Sequence, residues 1–188
     1  RGVTGLEIIA VPITFLGIWL TARRILWCWP VNLLACILYA KVFWDVQLYA
    51  NVALQCVFAL FLLYGWAMWL RGKADDGDVM VMPLRQKAAV AGLGLAAIGA
   101  ALVGWASSQY SDAALAWPDA ILSSFSLLAQ YWTARRYAAS WLVWIIVDIF
   151  YVALFITAAL WLTAGLYAAM TIIAVMGYRR WRTLQDQG

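Results

Sequence analysis

Seven stretches of this chain are apolar for so long, and carry so few charges, that only a lipid bilayer can serve as their solvent. They run over about 5–20, 29–43, 48–70, 87–106, 118–133, 141–158 and 162–178. Runs such as Val90–Val103 and Ile145–Leu162 are continuous. They lack the apolar–polar alternation, in segments of about ten residues, that marks a membrane β-barrel strand. Composition agrees, with 66% hydrophobic and 12% charged residues, where a soluble domain carries roughly 25% charged. The fold expected is an all-α membrane protein of seven transmembrane helices. The second span is short for a bilayer that needs about 20 residues, so it either continues past Trp44 or is re-entrant.

The loops sort the charges. With seven spans, one face receives Arg23, Arg24, Arg71, Lys73, Arg85, Lys87, Arg135, Arg136, Arg179, Arg180 and Arg182, and the other only Arg1 and Lys41. Lys and Arg gather on the cytoplasmic side, which puts the C-terminus inside and the N-terminal end of this chain outside. The net charge of +4 therefore reflects cytoplasmic loops, and no nucleic-acid partner is expected. The longest loop, from Arg71 to Gln86, reads as a hydrated stretch without core-forming residues. The chain begins without an initiator Met and shows no cleavable signal pattern, which leaves an upstream helix open.

The chain also repeats itself. A shift of 112 positions lays Thr21-Ala22-Arg23-Arg24 on Thr133-Ala134-Arg135-Arg136 without a gap. The same shift pairs Trp29 with Trp141, Tyr39 with Tyr151, Gly65 with Gly177 and Trp69 with Trp181. Each copy holds three spans, and an odd unit keeps its orientation only if one linker span intervenes. The organisation expected is a first repeat over 5–70, a cytoplasmic loop and linker helix over 71–106, and a second repeat over 118–182. This 3-1-3 plan of two parallel three-helix repeats is a recognised transporter architecture, with substrate near the midplane between the halves. The Gly/Ala-rich fourth span suits close helix contact and reads as a connector.

Polar groups at membrane depth are costly, so each is a candidate for function. Trp141, Trp144, Asp148 and Tyr151 follow one another at three, four and three residues, along one helical face. Asp148 is a carboxylate that cannot face lipid. Gln47, Asn51 and Gln55, spaced by four, form a second polar face of amides suited to a neutral polar ligand, or to holding helices together. Trp29, Asn32, Cys36 and Tyr39 are the repeat equivalents of the Trp141–Tyr151 set. Gln130 and Tyr167 are weaker candidates. Aromatic faces stack planar rings and attract cationic ones, while a carboxylate accepts from sugar hydroxyls or balances positive charge. A phosphate-free nucleoside fits this set; a phosphorylated one would need Arg or Lys deep in the spans, and none lies there. Trp19, Trp27, Trp66, Trp69, Trp132 and Trp181 read as interfacial anchors.

Other chemistry is poorly supplied. The chain has no His, which removes the commonest general base and metal ligand. Cys28, Cys36 and Cys56 match no metal or paired-thiol spacing and read as small packing residues. No cofactor, metal or catalytic residue is expected, and the chain is not expected to be an enzyme. A retinal-type sensor or seven-helix receptor is the remote alternative, but the last span lacks the Lys a Schiff base needs.

The segments Trp29-Pro30, Leu48-Tyr49-Ala50-Asn51, Gln55, Tyr64-Gly65-Trp66 and Trp69 together resemble the PnuC family of bacterial vitamin transporters. So do Trp141 to Asp148, Thr163-Ala164-Gly165-Leu166-Tyr167 and Gly177-Tyr178-Arg179-Arg180-Trp181. The resemblance spans essentially the whole chain, with one departure: Asn51 stands where many members carry Asp. It implies a multi-pass protein of the bacterial inner membrane that takes up nicotinamide riboside by facilitated diffusion, the substrate being trapped inside by phosphorylation. Related members take thiamine or riboflavin, and a homotrimer is implied by the resemblance alone. Proton coupling through Asp148, another vitamin, or a sugar are the alternatives.

Overall fold

The structure is a computed structural model that describes residues 5–45, 49–72, 79–110, 116–157 and 161–186. Seven helices follow in order: α1 (Gly5–Ala22), α2 (Cys28–Asp45), α3 (Tyr49–Arg71), α4 (Gln86–Tyr110), α5 (Ala116–Ala134), α6 (Ala139–Thr157) and α7 (Trp161–Asp186). Among the described residues there is no strand, only a bridge between Met82 and Tyr137. The second span is neither broken nor re-entrant. α2 is one continuous helix past Trp44, closed at its exposed end by an ion pair between Lys41 and Asp45. α7 continues well beyond the expected end at 178, carried by a polar turn in which Arg182 pairs with Asp186 at 3.5 Å.

By length and composition, Val52–Arg71 and Gln86–Gln109 are each sufficient to cross a bilayer, while Ile8–Ala22, Cys28–Val42 and Ala139–Leu154 are shorter apolar helices. The helices turn large apolar side chains outward. On α6, Leu142, Ile146, Ile149 and Phe150 are exposed, while Trp141, Val143, Val147 and Asp148 are buried. This inversion, greasy outside and polar inside, is that of a helix solvated by lipid.

Two compact units divide the chain: α1–α3 in one and α4–α7 in the other, with Ala134–Arg136 belonging to the first. In the second unit, Ala96, Leu122, Leu128, Ala129, Trp132, Val143 and Val147 form a buried cluster drawn from α4, α5 and α6. α4 lies against α5 along its small residues, the close helix contact expected of a Gly/Ala-rich span. A Cβ on Gly92 would stand 3.1 Å from the Trp132 ring, and one on Gly104 would meet Trp117 at 2.6 Å. Small residues let the helix backbones approach this closely.

Contacts recur inside the two units at the spacing of the sequence repeat. Trp29 meets Trp69 edge-to-face, 5.1 Å between centroids at 85°, and Trp141 meets Trp181 at 5.6 Å and 86°. Gly65 leaves the slot that the Trp29 ring fills, and Gly177 does the same for Trp141. Trp69 and Trp181 are completely buried and Trp132 nearly so. These three are therefore core residues and not interfacial anchors: Trp69 and Trp181 are covered by the Trp29 and Trp141 rings they meet edge-to-face, and Trp132 lies against Gly92. Trp27, exposed at 71%, and Trp19, with Arg23 over its ring, do sit at the surface.

The loop after α1 closes with a Schellman-type turn. Arg24 N–H donates to Thr21 O and Ile25 N–H to Leu20 O, both at 3.0 Å, with Arg24 at φ 60°. After α5 the equivalent Tyr137 N–H donates to Trp132 O at 3.0 Å, with Arg136 at φ 66°. A left-handed residue with a side chain costs roughly 1–2 kcal/mol, and glycine is usual there. Here the guanidinium has its own task. Arg24 donates to Val79 O at 2.6 Å and Arg136 to Gly72 O at 2.8 Å, so both hold carbonyls of the α3–α4 connection. Residues 73–78 of that connection lie outside the described residues, but Val79 is buried. The expectation that the connection contributes nothing to a core fails at Val79.

Candidate substrate-binding site

In the second unit, α6 carries the group that the spacing singles out. Asp148 is only 6% exposed, and among the described residues no Lys or Arg pairs with it. Tyr151, one turn further on, lies near Asp148 and Asp119, and its hydroxyl is hydrogen-bonded with Ser123 of α5. Its ring meets Tyr167 of α7 at 4.9 Å with a 45° tilt. Three helices thus bring together two carboxylates, of which Asp148 is the buried one, two phenol rings and a hydroxyl. The α6 spacing places Asp148 and Tyr151 on the inward side, and α7 contributes Tyr167 because its own apolar face, Ile172 and Met176, is turned outward.

Trp144 is half-buried beside this group and packs against the α4–α6 cluster. Its indole N–H donates to Thr133 Oγ1 at 3.3 Å. Trp141 has a different setting. It is 2% exposed, wedged against Trp181 and Gly177, and its buried N–H finds no hydrogen-bond partner among the described residues. The side chain therefore belongs to the α6–α7 packing.

In the first unit, the Cys36 thiol has one proton to share between the backbone oxygen and Oε1 of Gln55, each 3.0 Å from its sulfur. Gln55 keeps its NH₂ group and one lone pair of Oε1 for other partners. Asn32 Nδ2 donates to Thr21 Oγ1 at 3.4 Å, and its amide covers Gly17, which ties α2 to α1. Asn51 belongs to α3, but its side chain lies outside the described residues, as does the whole of Gln47. Gln130 is half-buried.

Sequence reasoning missed Asp119 and Ser123, which sit in the first turns of α5 and share no periodic face with the α6 residues. It also missed Thr21 and Thr133. Their signal is present in the identical Thr-Ala-Arg-Arg segments, which the sequence marks as the anchor of the repeat without showing what the threonines bind. Cys36 was read as inert packing; its bond to Gln55 could not be inferred without knowing how α2 and α3 face each other.

Lipid-solvated helices that turn a carboxylate, amides and aromatic rings inward are those of a multi-pass integral membrane protein, and a carboxylate at membrane depth is typical of a transporter. Comparison with known proteins carries this to a family. A family model described as "Nicotinamide mononucleotide transporter" matches residues 4–183, and the chain belongs to that family. It is 30% identical over 162 residues to the riboflavin/roseoflavin transporter RibM of Streptomyces davaonensis, covering 85% of this chain and 76% of that protein. It is 25% identical over 172 residues to the nicotinamide riboside transporter PnuC of Escherichia coli, covering 77% and 71%. The crystal structure of the vitamin B3 transporter PnuC shares the fold, with a TM-score of 0.79 at 21% identity over 97% of this chain and 82% of that one.

Proposed function

We propose that the chain carries nicotinamide riboside across the inner membrane by facilitated diffusion with alternating access. The observation that supports this most is the setting of Asp148: a buried carboxylate without a described basic partner, beside Tyr151 and with Trp144 on the same face. Nicotinamide riboside presents a planar pyridinium ring on a hydroxylated sugar. Aromatic faces attract a cationic ring, more strongly when it is desolvated, and a buried negative charge needs a positive partner. In this reading Trp144, Asp148 and Tyr151 of the second unit contact the ligand, with Tyr167 behind Tyr151. Trp141 and Asn32 hold helices within their own units, and Gln55, Asn51 and Gln47, spaced by four in the sequence, are the amides proposed for the first unit. One buried carboxylate without His is a poor proton relay, which favours facilitation over coupling. The cytoplasmic C-terminus follows from the segregated loop charges, and the division into two three-helix repeats with α4 as linker follows from the 112-residue shift. Assembly as a homotrimer rests on the family resemblance.

Riboflavin is the second reading, favoured by the 30% identity to RibM. Charge separates the two, since the isoalloxazine ring is neutral. Calorimetric titration of the purified protein with nicotinamide riboside, riboflavin, thiamine and nicotinamide mononucleotide is the test. Nicotinamide riboside should bind tightest, and Asp148→Asn should weaken it while leaving the affinity for riboflavin nearly unchanged. Tightest binding of riboflavin, insensitive to Asp148→Asn, would select the second reading.

A further inference from the structure

Thr133 is buried near the end of α5, and both hydrogen-bonding roles of its hydroxyl are in use. Its single proton goes to Ala129 O at 2.9 Å, one turn back on the same helix. That leaves the oxygen lone pairs facing α6, where the Trp144 indole N–H donates to them at 3.3 Å. Indole is a donor only, and this is the one polar atom by which the ring can be held. Above it, Trp144 packs against the apolar cluster of α4, α5 and α6. The side chain is thus fixed at its N–H edge by Thr133 and along its body by packing, which sets the plane of the ring.

The first unit contains the same device with another donor. Thr21 gives its proton to Gly17 O at 2.8 Å and receives Asn32 Nδ2 at 3.4 Å. Thr21 and Thr133, Gly17 and Ala129, and Asn32 and Trp144 all correspond under the 112-residue shift. The receiving hydroxyl is the same in both units although one donor is a carboxamide and the other an indole. Packing alone gives no reason for that, since Asn and Trp differ in shape and volume. A hydroxyl that orients whichever polar side chain stands eleven residues later accounts for both.

We propose that Thr133 is a positioning residue for substrate recognition: by accepting the Trp144 N–H it holds the indole face in the plane that stacks on a flat heterocycle. This rests on Trp144 contacting the ligand. A free indole would have to be ordered at each binding event, whereas a ring already held loses little on binding.

A double-mutant cycle tests it, with nicotinamide riboside and riboflavin as probes in calorimetric titrations of the purified full chain. Thr133→Val keeps the shape of the side chain and removes the acceptor; Thr133→Ser keeps the acceptor. Trp144→Phe keeps an aromatic face and removes the N–H. The expected result is an affinity loss of about 2- to 10-fold for Thr133→Val, the range a single net hydrogen bond spans. Thr133→Ser should bind within about 2-fold of the parent protein, and Thr133→Val should cost nothing further in the Trp144→Phe background. Equal losses in both backgrounds, or no loss in either, would overturn the proposal, because Thr133 would then act only through helix packing. If Thr133→Val does not yield folded protein, Thr133→Ala takes its place in the same cycle. Failure of the parent protein to bind either probe would instead reject the function on which the proposal depends.

Discussion

Trp141 and Trp144 stand three residues apart on α6 and share a helical face in the sequence, yet the structure gives them different work. Trp141 fills the slot left by Gly177 and lies edge-on to Trp181, while Trp144 stays half-buried with its N–H on Thr133. Trp144→Ala should therefore weaken nicotinamide riboside binding by roughly 1–3 kcal/mol, as loss of stacking on a base does, with a smaller change in melting temperature. Calorimetry beside thermal melting checks this; unchanged affinity would remove Trp144 from the site. Ser140 makes the opposite case. Its hydroxyl is fully buried and finds no hydrogen-bond partner among the described residues, whereas its repeat equivalent is Cys28, also fully buried. An unsatisfied buried hydroxyl costs about 1–3 kcal/mol, so Ser140→Ala or Ser140→Cys should hold or raise the melting temperature of the purified protein. A clear fall would mean that the hydroxyl has a partner.

At the scale of elements, the glycines of α3 and α7 decide how closely the helices pack. A Cβ on Gly177 would come within 2.8 Å of the Trp141 ring, and one on Gly65 closer still to Trp29, whereas Gly94 on α4 faces open space. An indole cannot step aside as a flexible chain can. Gly65→Ala and Gly177→Ala should each destabilise the protein by about 1–3 kcal/mol through overpacking, and Gly94→Ala should be neutral or stabilising by up to about 1 kcal/mol. Melting of the three variants in one detergent measures the contrast, and equal melting temperatures would contradict it. The sequence showed these elements well: all seven helices fall where the apolar runs lie, because a bilayer demands that every span satisfy its own backbone. It could not show which tryptophans are internal. Trp69 and Trp181 sit near basic residues as interfacial anchors do, and only their edge-to-face contacts with Trp29 and Trp141 reveal that their rings are turned inward.

At the scale of the molecule, the 112-residue shift is written in the chain and recurs as contacts in each unit: paired tryptophans, left-handed arginines and threonine acceptors. What the repeat does not preserve is the polar choice. Asp148 answers to Cys36, Tyr167 to Gln55 and Trp144 to Asn32, so one unit offers a carboxylate with aromatic faces and the other offers amides. The carboxylate and aromatic faces of the second unit suit a flat cationic ring. Its polar partners were legible only where they fell on a periodic face; Asp119 and Ser123 came from a different helix and needed the fold to bring them to Tyr151. The central claim is that this chain moves nicotinamide riboside down its own gradient. Counterflow in liposomes tests it most directly: vesicles preloaded with unlabelled nicotinamide riboside, without proton or sodium gradient, take up labelled nicotinamide riboside from outside. The account predicts transient accumulation of label with the parent protein and its near loss in Asp148→Asn, whereas uptake that appears only under an imposed ion gradient would contradict it.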